Sequence, residues 1–326
     1  TFDLDEAGEV DAAHVERALV RSRARLDYDT VQADLDLGRV HPSIYALERV
    51  GRLRQQSSLR RSAINLRLPS VRVVEDAGAF ELVIEPRHPV MDYNSEISLL
   101  TGMVAGRMMV DAGVGLLRTL GPASEVATEE FRREVHNLGY TPPAADCIGE
   151  FLAGVDPDTP RGMAVMREAK KLLRASGYVD LSHSEPEVHA GIGGYYSHVT
   201  APLRRLVDRY ATEVCLAICG GREVPAWVTD GAPAVLQTMA RTSQLANLVD
   251  KAALNLTEAT VLSPWVGHNF DGLVLKRAPE RSRIFITHPP VLAPSIGAPQ
   301  EGTEGVFSLV RADPDAREVE FAWPAD

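Results

Sequence analysis

The chain has 326 residues, 45% of them hydrophobic and 24% charged, with a formal net charge of −11 at pH 7. That length allows one large domain and one small one, with ample apolar content for a core. The acidic balance excludes a protein that coats nucleic acid nonspecifically, so any nucleic-acid site has to be a local basic channel on an acidic body.

In chain order, residues 1–5 alternate like a strand, and Gly8 offers a turn before a second strand that ends near residues 19–22. A helix is predicted from about Thr30, and another over residues 44–57. Val71-Arg72-Val73-Val74 and Phe80-Glu81-Leu82-Val83-Ile84 read as a hairpin that turns at Ala77-Gly78. Helices dominate the middle of the chain. Ser95 is placed to cap one that runs through Val110, Thr128-Glu129-Glu130 opens another, and a third spans residues 163–176 and stops at Gly177. Proline and glycine clusters at residues 141–144 and 155–162 read as loops. A long helix over residues 235–262 is broken by Ser263-Pro264. Beyond it, short apolar runs at residues 270–275, 284–287, 305–310 and 318–321 are separated by Pro, Gly and Asp, the pattern of a small barrel of the OB type. The composition shift after Leu262 marks the boundary, giving a first domain over residues 1–266 and the barrel over 267–326.

The most informative stretch is Tyr196-Ser197-His198-Val199-Thr200-Ala201-Pro202-Leu203-Arg204-Arg205-Leu206-Val207-Asp208. Pro202 suits the first turn of a helix, and Thr200 can cap that turn from outside. The free N–H groups of such a helix start attract anions, and the Arg204 guanidinium can grip a phosphate in bidentate fashion. Leu203, Leu206, Val207, Tyr210, Val214 and Ala217 recur at helical spacing as a buried stripe. The plain alternative is two solvated arginines, Arg204 paired with Asp208 and Arg205 beside Arg209 at i,i+4.

The pattern Tyr-x-His-x-Thr-x-Pro-x-Arg-Arg-x-x-Asp resembles the signature of the ribonuclease II/R family catalytic domain, in the manner of its actinobacterial-type members. Ala201 stands where the family usually has serine, Leu206 where it has tyrosine, and Thr212-Glu213 where it commonly has His-Arg. Three further segments agree in order: Arg25-Leu26-Asp27-Tyr28-Asp29-Thr30-Val31-Gln32, the helix from Asn94-Ser95-Glu96 to Ala105, with Gly102 in place of an asparagine, and Glu185-Pro186-Glu187-Val188-His189. Gly113-Val114-Gly115-Leu116-Leu117-Arg118 falls where the family has a short strand leading into Arg or His.

The resemblance implies an α+β fold, in which a ribonuclease II-type catalytic domain, a mixed sheet with surrounding helices, is followed by a small OB-type β-barrel. It implies 3′-to-5′ hydrolysis of single-stranded RNA to nucleoside monophosphates. Arg204 would grip the scissile phosphate, Tyr28 and Glu96 would receive the 3′ end, and Glu96 would bond the ribose hydroxyls. Tyr196, His198, Thr200 and Arg205 would shape the helix start and the RNA channel, with His198 in a structural hydrogen-bonding role. Arg17, Arg21, Arg23 and Arg25, then Arg49, Arg52, Arg54, Arg60 and Arg61, are candidate channel walls, set against a reading of most of them as solvated surface. In the barrel, Phe285 and Phe307 are candidate base platforms that are expected in the core instead.

The family's aspartate cluster, which holds magnesium, has no counterpart in this sequence. Asp3 and Asp5 lie on a strand, and Asp156-Pro157-Asp158 reads as a turn. Magnesium is therefore implied with ligands outside these residues, in a segment expected before Thr1. A second reading is a non-catalytic RNA-binding or regulatory protein that keeps the fold without the metal site, and a third is a structural scaffold. Cys147, Cys215 and Cys219 lack metal-ligand spacing, and so few cysteines point to a reducing compartment. No apolar run approaches the ~20 residues needed to span a bilayer, and the start does not resemble a signal peptide. We expect a monomeric cytoplasmic protein with single-stranded RNA as its partner and no membrane association.

Overall fold

Local chemistry accounts for where most elements begin. The computed structural model describes residues 1–68, 71–76, 79–85, 87–173 and 176–323. Strand β1 (Phe2–Leu4) pairs antiparallel with β2 (Val10–Ala13). In the turn between them Asp5 Oδ1 accepts hydrogen bonds from the N–H groups of Ala7 (2.9 Å) and Glu9 (2.7 Å), and Gly8 takes φ +77. The second strand ends at Ala13 rather than near residues 19–22, because its partner strand runs out: His14 still exchanges backbone bonds with Thr1, the first residue of the chain, and past it no backbone ladder is formed among the described residues. Leu19 and Val20 stand fully in solvent.

Helix α1 (Tyr28–Asp36) starts ahead of the predicted Thr30 because Asp27 accepts from the Thr30 N–H at 2.9 Å and caps the first turn. A 3₁₀ turn at Pro42–Ile44 precedes α2 (Leu47–Arg60). Strands β3 (Val71–Asp76) and β4 (Ala79–Ile84) form the expected antiparallel pair, and the turn predicted at Ala77-Gly78 lies outside the described residues. Helix α3 (Pro89–Ala112) begins at its proline, well before Ser95. Ser95 is interior to the helix, and its hydroxyl donates to the Met91 carbonyl at 2.9 Å instead of capping. Gly113, at φ +66, ends the helix.

Strand β5 (Leu116–Thr119) follows, then α4 (Glu125–Asn137), capped by Ser124 rather than opened at Thr128. Helices α5 (Ile148–Gly154) and α6 (Pro160–Glu168) come next, the second capped by Thr159, so residues 160–162 are helical rather than loop. The helix predicted over 163–176 gives way to a 3₁₀ turn at Ala169–Leu173, and β6 (Gly177–Asp180) pairs antiparallel with β5. Helices α7 (Leu206–Cys219) and α8 (Ala226–Leu262) complete the helical part, the latter longer than predicted and carrying Pro233 inside it. Ahead of the barrel, the described strands thus pair two by two in antiparallel ladders.

The barrel is made of β7 (Asn269–Lys276), β8 (Ser282–Ile286), β9 (Val291–Ile296), β10 (Glu304–Asp313) and β11 (Glu318–Ala322). It closes in the order β10-β11-β9-β8-β7, with β10 also paired to β7. Phe285, Phe307 and Phe321 fill it at 0% exposure, so the first two are core and not base platforms.

The chain divides into two compact units. One comprises Thr1–Ile64, Arg87–Ala123 and Leu173–Thr242, the other Asn65–Pro86, Ser124–Leu172 and Ser243–Asp326. The first is built on α3 and α7, which bury Met109, Leu117, Ala211 and Val214 together. The second is centred on the barrel, whose core reaches Leu82 of β4 and Leu262 at the end of α8.

Candidate functional site

Two glycines on α3 let the Tyr196–Asp208 segment lie directly on that helix. A Cβ at Gly102 would collide with the Tyr196 ring and approach the Ser197 carbonyl to 2.7 Å, and one at Gly106 would come within 2.7 Å of the Tyr196 nitrogen. The segment is pinned there by backbone bonds, Ser197 N–H to Gly102 O (2.9 Å) and Arg118 N–H to Tyr196 O (2.8 Å). The buried Ser197 hydroxyl adds a bond to the Leu116 carbonyl at 2.7 Å.

Past Thr200 the chain forms a separate turn instead of the predicted helix start. The N–H groups of Arg204 and Arg205 both reach back to Ala201 O (3.2 and 3.0 Å), and α7 begins only at Leu206, with Arg205 as its N-cap. The cause is Asp208, fully buried, whose Oδ2 accepts from the Ala201 N–H at 2.6 Å and so holds the turn shut from within the helix. Thr200 therefore does not cap; its hydroxyl oxygen accepts from Ser98 Oγ of α3 at 3.1 Å. Leu203 is fully exposed and Leu206 45% exposed, so of the predicted stripe Val207, Val214 and Ala217 are buried and Tyr210 is half-buried, with Ala211, Cys215 and Leu216 buried beside them.

The two arginines part company here. Arg205 makes a bidentate pair with Asp208, Nε to Oδ1 at 2.8 Å and Nη2 to Oδ2 at 2.9 Å. Arg204, which the plain alternative paired with Asp208, is exposed and its guanidinium has no hydrogen bond or ion pair among the described residues. A buried carboxylate thus braces one arginine and leaves its neighbour's fork to solvent.

Behind this turn stands an aromatic and imidazole cluster. The Tyr178 hydroxyl lies 2.8 Å from His198 Nδ1, and the Tyr196 ring meets His198 and His189 edge-on at 5.6 and 5.9 Å. The Arg118 guanidinium sits 4.6 Å from the centre of the Tyr178 ring. Burial, then the charges of Arg205 and Arg118, push the His198 pKa down to about 3. Burial, then Arg118, push His189 down to about 4. Both rings are neutral near pH 7, so His198 shares a hydrogen bond with the Tyr178 hydroxyl and is not poised as a general acid there. Arg118, Tyr178 and Asp208 were not singled out as site residues in the sequence, although Asp208 follows the Arg-Arg pair at a spacing that allows a capping carboxylate.

The remaining predicted residues make no bond to this turn among the described residues. Tyr28, at the start of α1, is 42% exposed, and its hydroxyl accepts from Asn94 Nδ2 at 3.1 Å. Glu96 is only 2% exposed, with Oε2 lacking a hydrogen-bond partner. Burial raises its pKa against the pull of Arg61 and Arg54. No hydrogen bond or ring contact joins Tyr28 or Glu96 to Arg204 among the described residues.

Of the candidate wall arginines, Arg54 is core. It is 2% exposed and bonded to Gly8 O (2.7 Å) and Glu9 (2.8 Å). Arg52 pairs with Glu48, Arg60 with Glu9, and Arg17 with Glu213, the residue that replaces the family's arginine. Asp5 and Asp156 serve turns, the latter accepting from the Asp158 N–H at 3.0 Å. Among the described residues no group of three or more His, Cys, Asp or Glu side chains is placed to hold a metal ion, so the residues present do not fit the implied magnesium.

The chain belongs to the RNB domain family, which matches residues 1–218, and the RNase II-type exonuclease C-terminal S1 domain matches residues 268–323. Among curated proteins it is similar to a Ribonuclease R of Chlamydia pneumoniae, 23% identical over 214 residues, covering 62% of this chain and 31% of that protein. Among solved structures it is similar to the apo form of Mycoplasma genitalium RNase R, with a TM-score of 0.85 at 14% identity over 99% of this chain and 57% of that one. It is also similar to yeast Ssd1, described as a pseudonuclease, with a TM-score of 0.68 at 13% identity over 99% of this chain and 41% of that one. The chain thus spans about a third of the curated relative and little over half of the RNase R structure.

Proposed function

We propose that this chain supplies the RNA-end and phosphate-binding part of a 3′-to-5′ exoribonuclease that hydrolyses single-stranded RNA to nucleoside monophosphates. The observation that carries this reading is the exposed Arg204 fork, without a hydrogen bond or ion pair among the described residues, on a turn that Asp208 and Arg205 brace. A guanidinium held this way can form two charge-assisted bonds to a phosphate and stabilise the charge that grows on it. Tyr28 receives the terminal nucleotide, Glu96 bonds its ribose, and Tyr196, His198, Thr200 and Arg205 hold the shape of the phosphate turn. No step is assigned to magnesium, whose ligands are not among the described residues.

The test is degradation of a labelled single strand by the full-length gene product with magnesium. Arg204→Ala should lower turnover by about 10²-fold or more, with RNA affinity changed only a few-fold, and Arg204→Lys should not restore it, since an ammonium cannot bind bidentately. Equal turnover in Arg204→Ala and wild type refutes the assignment. A second reading, a non-catalytic RNA-binding protein of this fold, is favoured by the lack of a ligand group and by the likeness to a pseudonuclease. RNA binding by the full-length product without any shortening of the strand selects it.

A further inference from the structure

Arg54, Ser57 and Arg61 share one face of α2. That face meets α3, where a Cβ at Gly51 would press on the Tyr93 ring at 2.5 Å and Arg54 Nη2 lies 3.8 Å from Met103 Sδ. Glu96 stands on α3 between Tyr93 and Met103, on the same face as both. It is buried, its Oε2 has no partner, and no hydrogen bond reaches its carboxylate among the described residues. A buried carboxylate in that state is costly unless opposite charge stands by. The charge comes from α2: Arg61, and then Arg54, draw the Glu96 pKa down against burial, while Asp92 on its own helix, itself paired with Arg87, works against them. Yet neither guanidinium bonds Glu96. Arg61 donates from Nη1 to Ser57 Oγ and from Nε to Ile192 O at 3.3 Å. Arg54 donates from Nη1 to Gly8 O and to Glu9, which Arg60 also holds.

We propose that Arg61 and Arg54 are positioning residues for the terminal ribose: they lend Glu96 the positive charge that its buried place requires and, bonded to other acceptors, leave its oxygens open to the 2′- and 3′-hydroxyls. The proposal rests on the reading of Glu96 as the ribose acceptor. An ionised carboxylate only accepts, so it can take a bond from each of two hydroxyls; once protonated it gives up part of that capacity to a donor. A terminal nucleotide without its 2′-hydroxyl leaves a buried acceptor unpaired, which is costly. The two arginines therefore set how strictly a ribonucleotide end is preferred to a deoxynucleotide end, and they do so through Glu96 without contacting the nucleotide. The preference is present above the folded pKa of Glu96 and is lost as pH falls through it. Removing a nearby positive charge raises that pKa and brings the loss to higher pH.

Competition between oligoadenylates that differ only in a ribo- or 2′-deoxyadenosine at the 3′ end tests this, followed by anisotropy with the full-length gene product in EDTA between about pH 5.5 and about pH 9. The ratio of the two affinities should fall on acidification in wild type and stay flat and low in Glu96→Gln. In Arg61→Gln the midpoint of that fall should move up by about 1 pH unit, the lower end of what a lost opposite charge does, and Arg61→Lys should keep the wild-type midpoint. Arg61→Met, which retains the apolar stem, takes its place if circular dichroism shows that Arg61→Gln does not fold. A purely structural Arg61 would weaken both ends alike and leave the midpoint where it is. That result overturns the proposal, as does a lysine variant that shifts as far as the glutamine one. If wild type prefers the ribo end and Glu96→Gln does not, an unmoved midpoint removes the arginine role alone; if wild type shows no preference or binds no RNA, the ribose reading fails and the proposal with it.

Discussion

Acidification should act in opposite directions on the two compact units. In the first, His198 and His189 are held at about 3 and about 4 against an ordinary value of 6.5, by burial and then by neighbouring arginine charge. The unfolded chain binds protons on these rings before the folded one does, so stability is full above 6.5 and is lost as pH falls from there toward the folded values. At about pH 5 each neutral ring costs about 2 kcal/mol, from ~1.36 kcal/mol per unit between pH and the unfolded pKa. Both rings keep some contact with solvent, and Glu96, raised by burial, titrates in the opposing sense. The net loss is therefore about 2 to 3 kcal/mol. Glu9, drawn down to about 2 although burial opposes it, through hydrogen bonds from Ser57, Arg60 and Arg54, adds its own loss only below about 4.5.

In the second unit Glu258 is pushed up to about 7, chiefly by burial and against the pull of Arg167. Its folded state takes up a proton that the unfolded chain still lacks, so stability rises as pH falls from 7 toward 4.5, by about 2 kcal/mol at about pH 5. Glu134, also raised to about 7 by burial beside Glu168 despite its Lys171 partner, acts in the same direction. Hydrogen exchange of the slowest amides, corrected for the intrinsic rate, reads the units separately. Between about pH 7.5 and about pH 5, amides of α3 and α7 should lose protection while those of β7 and β8 gain it, and His198→Phe should remove about half of the first effect. A change of the same sign in both units, or no response in α3 and α7, refutes the reasoning.

Gly102→Ala should destabilise the first unit by about 2 kcal/mol or more, since its methyl group has no room against the Tyr196 ring, and thermal denaturation will show it. Asp208→Asn leaves the Ala201 N–H and the Arg205 fork with one neutral oxygen between them; chemical denaturation should show a loss of about 2 kcal/mol, and turnover should fall further than RNA affinity. Glu96→Gln should weaken discrimination against a 3′-terminal deoxynucleotide without lowering stability, because it removes a buried carboxylate whose Oε2 has no partner. Unchanged selectivity in a competition between the two ends counts against the ribose contact.

Much of the barrel was legible because its strands are short apolar runs cut apart by turn residues, and four of the five match predicted runs. The missed strand, β9, carries Pro294, which argues against a strand. It is tolerated because β9 pairs with β11 only at Ser295 and Ile296, so no ladder on that side needs a proline N–H. Helix starts were less legible. Ser95, Thr128 and Pro202 all look like starts, yet Pro89, Ser124 and Asp208 decide where α3, α4 and α7 begin.

The sequence by itself determined the family, through residue types at fixed spacing, and marked Arg204 as a candidate phosphate grip through the residues that surround it. Only the tertiary structure decided which of the two arginines is free. That choice depends on a buried carboxylate reaching back to the Ala201 N–H, and on helix α3 offering two glycines as a bed for the segment. Likewise, the structure withdrew Arg54 from the candidate channel walls, since its guanidinium is buried on Gly8 O and Glu9. The physical reason is that spacing along a chain fixes which neighbours a side chain can meet locally, whereas burial and long-range partners determine whether its charge is spent or available.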